Sequence, residues 1–302
     1  MVEVIACPAG EAPGKVRAFL RLVVIEHSVF ALPFAYIAAL TAMWRQSQSV
    51  HWRQLALITI AMVAARTVAM SVNRILDREY DARNPRTAQR ELVTGAMTVR
   101  AAWAGTAVAL AVFLASAAAL SWLCLALAPV AVALLVLYSY GKRFTDFPQA
   151  LLALAQCVAP LGAWIGVTGH FSAAAWALGI AVGTWIGGFD LIYACQDADV
   201  DRRVGIRSVP ARYGVPAALR ASAVVHAGTF AAFAWFGAAA GLGRLWLIGL
   251  VLTACVLAYE HLIVRSDDLR RINRAFFTAN GVIGIGLFGF ALADLFVNGL
   301  VG

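Results

Sequence analysis

Long apolar runs, each close to twenty residues, recur from one end of the chain to the other. They fall at about 22–44, 54–72, 101–120, 122–139, 149–168, 173–193, 217–239, 244–264 and 275–297. A helix of roughly twenty apolar residues crosses a hydrocarbon layer about 30 Å thick. Strands of a membrane barrel would be shorter and would alternate apolar with polar positions. These runs are continuous and rich in Ala and Leu, so the pattern predicts nine transmembrane helices and an all-α, polytopic membrane fold.

Composition agrees with that reading. Of 302 residues, 62% are hydrophobic and 13% charged, about half the charged share of a soluble domain. Residues 1–15 carry Pro8, Gly10, Pro13 and two glutamates where a cleavable signal would be apolar, so the first helix is expected to stay in the protein. The five cysteines show no CxxC pairing and read as small buried hydrophobes without a metal or disulfide role.

The net charge of +8 reports topology and gives no reason to expect nucleic acid. Of the 24 Lys and Arg, Arg45, Arg53 and Arg244 fall after odd-numbered spans and Arg66 falls within one. All the others precede the first span or follow an even-numbered one. The positive-inside rule then places the N-terminus and the even-numbered connections in the cytoplasm of a cell-membrane protein, with the C-terminus outside.

Acidic residues are equally uneven. One cluster, Asn73, Asp77 and Asp81, continues the second span; another, Asp190, Asp197, Asp199 and Asp201, continues the sixth. At 100° per residue the first three share a helical face. Asp190, Asp197 and Asp201 would share one too, while Asp199 points away. Two facing rows of hard oxygen ligands suit Mg2+, which combines carboxylates with phosphate oxygens. The segments lie about 120 residues and four helices apart, as in a weak internal repeat. A single domain, 1–302, is expected, with halves at about 22–140 and 149–264 plus a ninth helix at about 275–297. A solvated acidic helix end balanced by nearby arginines is the plainer alternative for either segment alone.

Basic residues complete the constellation. Lys142 and Arg143 follow the fourth span, and Arg86 and Arg90 follow the first acidic segment; all four are candidates for holding a diphosphate, or serve topology alone. Arg66 lies mid-span, where a charge costs about 2.5–3.5 kcal/mol or more, so it should face the interior and meet a carboxylate such as Glu26 or an anionic substrate. Tyr138 and Tyr193 are candidate acceptor contacts, alongside Tyr140, with plain packing the alternative. Gly162 and Gly166, and Gly179, Gly183 and Gly187, form small-residue faces for close helix packing. Trp44, Trp52, Trp103, Trp122, Trp176 and Trp246 read as interfacial anchors.

At these residues the chain resembles the UbiA superfamily of intramembrane prenyltransferases. That family's first motif, NDxxDxxxD, is matched by Asn73, Asp77 and Asp81, with Arg74 in place of its second Asp. Its second, DxxYAxxDxxxD, is matched by Asp190, Tyr193, Asp197 and Asp201, and its YxxxK element by Tyr138 and Lys142. The resemblance implies a nine-helix bundle around a central cavity that opens sideways to lipid, under a cytoplasmic cap carrying both motifs. It implies Mg2+ as cofactor, held with the diphosphate by Asn73, Asp77, Asp81, Asp190, Asp197 and Asp201. Residues 84–87, 197–212, 259–261 and 275–281 resemble a 4-hydroxybenzoate polyprenyltransferase-like subgroup, which includes the enzyme proposed to prenylate a naphthoate on the futalosine route to menaquinone.

The expected function is Mg2+-dependent transfer of a polyprenyl group from polyprenyl diphosphate to an aromatic acid, in ubiquinone or menaquinone biosynthesis. Asp77, Asp81, Asp197, Asp201 and Lys142 would carry the catalysis. Membrane lipid is the expected surrounding, with no nucleic acid and no obligatory protein partner. The rival reading is a transporter of divalent cations or small solutes with acidic gates, although transporters place ionisable groups near the midplane. A non-catalytic member of the same fold is a third; soluble isoprenoid synthases lack the spans and are excluded.

Overall fold

The structure, a computed structural model, describes Phe19, residues 32–274 and residues 279–300. Its long helices are α1 (Leu32–Ser47), α2 (Trp52–Arg83), α3 (Val99–Leu120), α4 (Trp122–Phe144), α5 (Pro148–Thr168), α6 (Ala173–Ala194), α7 (Val215–Ala240), α8 (Arg244–Ile263) and α9 (Asn280–Val297). Among the described residues, the helices from α2 to α9 are the 8 that are long and apolar enough to cross a membrane. The described part of α1 has 16 residues; positions 22–31 of the expected first span lie outside the described residues. Eight of the nine expected spans are thus supported. Among the described residues no strand forms; the one extended pairing is an isolated bridge between Arg265 and Asp268.

Local chemistry sets the helix ends. Thr98, Ser121 and Ser172 accept from the backbone N–H groups of Ala101, Cys124 and Ala175, capping α3, α4 and α6. Gly169 and Gly241 end α5 and α7 with φ of 75° and 77°, a left-handed turn that a Cβ would strain. Pro129 and Pro160 lie inside α4 and α5, as membrane helices tolerate where neighbours satisfy the freed groups.

Helix α6 packs most extensively, against α7 on one side and α5 on the other. A Cβ on Gly183 would collide with the backbone oxygen of Ala153 and with Cys157 Sγ, and one on Gly187 would press on Ala153. These glycines let α5 and α6 approach backbone to backbone. Across α6, Trp185 meets Phe34 with ring centroids 4.9 Å apart and Phe189 at 5.4 Å. Trp246, expected as an interfacial anchor, is instead 1% exposed and packed edge-on against Phe236. It starts α8 directly beside Gly237, whose missing side chain makes room for the indole. Trp52, Trp103, Trp122 and Trp176 remain exposed.

The two ends of the bundle differ. At one, Trp44 Nε1 donates to Asn298 O at 3.1 Å and Arg45 Nη1 to Ala239 O at 2.5 Å, tying the C-terminal ends of α1, α9 and α7. The ends of α2, α4 and α6, with their acidic and basic residues, meet at the opposite one.

Candidate active site

Helix α2 stays helical well past its apolar run, through Arg83, and its last turns carry Asp77 (2% exposed) and Asp81 (6%). Burying two carboxylates requires cations. Lys142 Nζ at the end of α4 donates to Asp77 Oδ2, and Arg143 Nη2 stands 3.8 Å from Oδ1 of the same carboxylate. Arg143 Nη2 also donates to Leu76 O at 2.6 Å, and its guanidinium lies over Tyr80 and Tyr140 at 5.5 and 5.2 Å. Arg90 Nη1 reaches Asp81 Oδ1 at 2.5 Å, and Thr87 Oγ1 donates to the Asp81 backbone oxygen at 3.1 Å.

The second acidic segment meets the first directly. Arg86, just beyond α2, binds Asp197 through both carboxylate oxygens, Nη2 to Oδ2 at 2.5 Å and Nε to Oδ1 at 3.1 Å. Asn84 Nδ2 donates to Asp197 Oδ1 at 3.3 Å, while Asn84 Oδ1 accepts from the Arg86 backbone N–H at 3.0 Å. The Arg86 guanidinium also lies 5.6 Å from the Tyr193 ring centroid. Partial burial works against the charge on Arg86, but its bonds to Asp197 outweigh that and hold it above its ordinary pKa.

The helix expected through Asp190, Asp197 and Asp201 runs from Ala173 to Val204 but is not α-helical throughout. Helix α6 ends at Ala194, a 3₁₀ turn covers Cys195–Asp197, and a short helix runs Ala198–Val204. A 3₁₀ turn advances about 120° per residue, so Asp197 and Asp201 are turned by roughly 40° and 80° from Asp190 and the shared face is widened. Asp201 is instead held by Ser208 Oγ at 3.2 Å, and Asp199 points away, paired with Arg202 at 3.0 Å. The loop carrying Ser208 is fastened to α4: Arg207 N donates to Lys142 O at 3.0 Å and its side chain binds Asp146 at 2.8 Å.

These groups stand at the polar mouth of a cavity of about 820 Å3. Asn73, Arg86, Arg90, Asp190 and Tyr193 line the mouth; Arg66 and Tyr138 lie deeper, and beyond them the lining is largely apolar. Val130, Leu154 and Ile180, on α4, α5 and α6, line the cavity and are exposed. Trp176 and Phe171 line its far end with stacked rings 5.7 Å apart. Arg66 is half-buried and its Nε is without a hydrogen-bond partner; Glu26, its expected partner, lies outside the described residues.

The structure therefore places every candidate metal-, diphosphate- and substrate-binding residue at one end of the bundle or in this cavity, with two changes of role. Arg143 is engaged with α2 and two tyrosine rings, and Tyr140 stacks on Arg143 outside the cavity lining. Asn84, Arg207 and Ser208 were missed as site residues. Asn84 carried a local signal, the Asn-Pro pair directly after a helix; Arg207 and Ser208 carried none. Cys124 and Cys157 line the cavity and Cys255 is exposed, so the expectation of buried cysteines holds only for Cys195 among those described.

Comparison with known proteins agrees with this architecture. The UbiA prenyltransferase family matches residues 31–282. A protein of Paracidovorax citrulli named 4-hydroxybenzoate octaprenyltransferase is 32% identical over 256 residues, 80% of this chain and 83% of that one. The apo structure of a UbiA homolog from Aeropyrum pernix K1 superposes with a TM-score of 0.81 at 33% identity, covering 89% of this chain and 98% of the other. A UbiA homolog from Archaeoglobus fulgidus bound to GPP and Mg2+ has the same fold, with a TM-score of 0.67 at 20% identity over 92% and 99% of the two chains. A prenyltransferase family matched over most of the chain overturns the transporter reading, and the clustering of carboxylates at one end agrees.

Proposed function

The chain belongs to the UbiA prenyltransferase family, and from that premise we propose that it transfers a polyprenyl group from polyprenyl diphosphate to 4-hydroxybenzoate or a hydroxynaphthoate, with Mg2+ as cofactor. It is a multi-pass membrane protein. The observation that carries the proposal is the meeting of both acidic segments, bridged by Arg86, at the mouth of an apolar cavity.

The donor set fits Mg2+. Among the described residues no three His, Cys, Asp or Glu side chains converge closely enough to hold an ion alone. Mg2+ is ordinarily bound by one or two carboxylates together with substrate phosphates, so a closed protein cage is not required. Asp77 Oδ1 is buried without a hydrogen-bond partner, a hard oxygen available to a cation. Asn73, Asp77 and Asp81 on one side, and Asp190, Asp197 and Asp201 on the other, would hold the metal. Bound there, Mg2+ would offset charge developing on the diphosphate leaving group.

Arg86, Arg90 and Lys142 stand beside those carboxylates and would donate to the diphosphate oxygens as the allylic C–O bond breaks. A ring carbon of the acceptor forms the new C–C bond, and its proton passes to a carboxylate or to the released diphosphate. The apolar walls keep water from the cationic centre, and Tyr138 and Tyr193 offer ring faces to it. Arg66, deeper and with a free donor, would hold the acceptor carboxylate. The prenyl tail would leave between α4 and α6 into lipid. The excess of Lys and Arg around the site supports a cytoplasmic mouth and an external C-terminus. The relative's name supports 4-hydroxybenzoate; the resemblance of residues 84–87 to the subgroup that includes the naphthoate enzyme supports a hydroxynaphthoate. A role in quinone biosynthesis follows from either acceptor.

The test is purified protein with Mg2+, a polyprenyl diphosphate and a panel of hydroxybenzoates and hydroxynaphthoates, with products read by mass spectrometry. One prenylated aromatic acid, absent without Mg2+, is expected. Failure to prenylate any member of the panel would sink the proposal.

A further inference from the structure

Helix α5 is apolar from Ala150 to Ala163 except at Gln156 and the adjacent Cys157. A carboxamide brings two donors and an acceptor into the middle of a span, where unsatisfied polar groups are costly. Gln156 is half-buried and lines the cavity. Among the described residues its side chain has no hydrogen-bond partner. Gln54 on α2 differs, because it donates to Gly166 O on α5 at 3.4 Å. A glutamine that served helix packing would bond across to a neighbouring helix in that way. Gln156 stays free at the cavity wall.

The contact between Gln54 and Gly166 also sets α2 against α5, which run in opposite directions. Arg66 lies twelve positions along α2 from Gln54, about 18 Å. Gln156 lies ten positions back along α5 from Gly166, about 15 Å. The two therefore stand at about the same depth, on adjacent helices, and both line the cavity. Their chemistry is complementary: the guanidinium only donates, whereas the Gln156 Oε1 accepts. A hydroxylated aromatic acid has one group for each, a carboxylate that needs donors and a ring hydroxyl whose proton needs an acceptor.

We propose that Gln156 is the specificity-determining residue for the acceptor hydroxyl, its Oε1 accepting the ring O–H while Arg66 holds the carboxylate. This deepens the proposed function and rests on it, since it presumes an aromatic hydroxy acid in the cavity. As the ring carbon beside the hydroxyl forms the new C–C bond, positive charge spreads onto the hydroxyl oxygen. Its proton becomes more acidic, so the bond to Oε1 strengthens in the transition state. The hydroxyl proton stays on oxygen, and the proton that leaves is the one on the ring carbon. A Gln156 that served packing alone would not distinguish an acid with the hydroxyl from one without it.

The experiment pairs 4-hydroxybenzoate with benzoate and 6-hydroxy-2-naphthoate with 2-naphthoate, using the full-length protein with Mg2+ and a polyprenyl diphosphate. The KM of each hydroxy acid is compared with the inhibition constant of its partner, in wild type, Gln156→Leu and Gln156→Met, each checked by thermal unfolding. In the pair with the better acceptor, wild type should favour the hydroxy acid at least fivefold. Gln156→Leu, of similar volume but without an acceptor, should lower that ratio at least fivefold. A smaller wild-type preference, or a smaller drop in folded Gln156→Leu, overturns the inference. If Gln156→Leu does not fold, Gln156→Met decides by the same threshold. Wild type that prenylates neither hydroxy acid nor any other of the acceptor panel rejects the proposed function itself, and the inference with it; an unchanged ratio in an active enzyme rejects the inference alone.

Discussion

Arg86 holds Asp197 by a two-pronged contact, 2.5 Å and 3.1 Å, between residues 111 positions apart. With Asn84 Nδ2 on the same carboxylate, this pair joins the end of α2 to the end of α6 and makes a single site of two acidic segments. The Arg86 side chain is 42% exposed and that of Asp197 18%, so its weight in stability is small, about 1 kcal/mol or less. Its weight in function should be larger. Asp197→Asn is expected to lower prenyl transfer roughly 100-fold while leaving the melting temperature nearly unchanged. Arg86→Lys should be impaired as well, because an ammonium cannot span both oxygens. Steady-state rates set against thermal melts check both variants.

Lys142, Arg90 and Arg86 each sit on a carboxylate assigned to Mg2+. A divalent ion binding there displaces a cation, and the displaced cation is then free for phosphate. Metal and pyrophosphate should therefore bind with positive coupling, each strengthening the other by the same factor, about 5–150-fold. Mn2+ can replace Mg2+ as a spectroscopic probe. Electron paramagnetic resonance titrations with and without pyrophosphate would show the shift; equal Mn2+ affinity in the two would contradict it.

Arg66 separates acceptor recognition from diphosphate recognition. Arg66→Leu removes a deep charge from a largely apolar lining and should not reduce stability. It should raise the KM for an aromatic acid by roughly tenfold or more, consistent with the loss of a charge-assisted hydrogen bond worth about 1.5–3 kcal/mol. Pyrophosphate affinity should be unaffected. An unchanged acceptor KM would assign the carboxylate contact elsewhere.

Two glycines of similar appearance in the sequence should respond in opposite ways. Gly162 lines the cavity and has nothing within 4 Å of where a Cβ would stand, whereas Gly183 has the Ala153 backbone oxygen in that place. Gly183→Ala should cost about 1–3 kcal/mol by forcing α5 and α6 apart, seen as a lower melting temperature. Gly162→Ala should fold like wild type. Gly162→Leu should also fold, but should shift the preferred donor toward shorter prenyl diphosphates, as competition between donors of different length would reveal.

Much of this molecule could be read before it was seen folded. The apolar runs matched α2 to α9 closely, because a bilayer imposes its thickness on each helix independently of the others. Asp77, Asp81, Asp190, Asp197 and Lys142 could be placed at one end because helix direction alternates along the chain. The second motif differed only locally: the 3₁₀ turn at Cys195–Asp197 adds roughly 60° of rotation that apolar spacing cannot report. Trp246 was misplaced because a tryptophan at a helix start looks the same whether it faces headgroups or a neighbouring Gly237.

The sequence by itself determined the spans, the segregation of charge and the residue types available for holding a metal and a diphosphate. Those are properties of single segments against their solvent. Only the tertiary structure decided which cation meets which carboxylate, and that an apolar cavity begins at the acidic end. Those depend on how helices pack laterally, and in a bilayer that packing is governed by van der Waals fit and interhelical hydrogen bonds between residues far apart in the chain, as with Lys142 and Asp77, 65 positions apart.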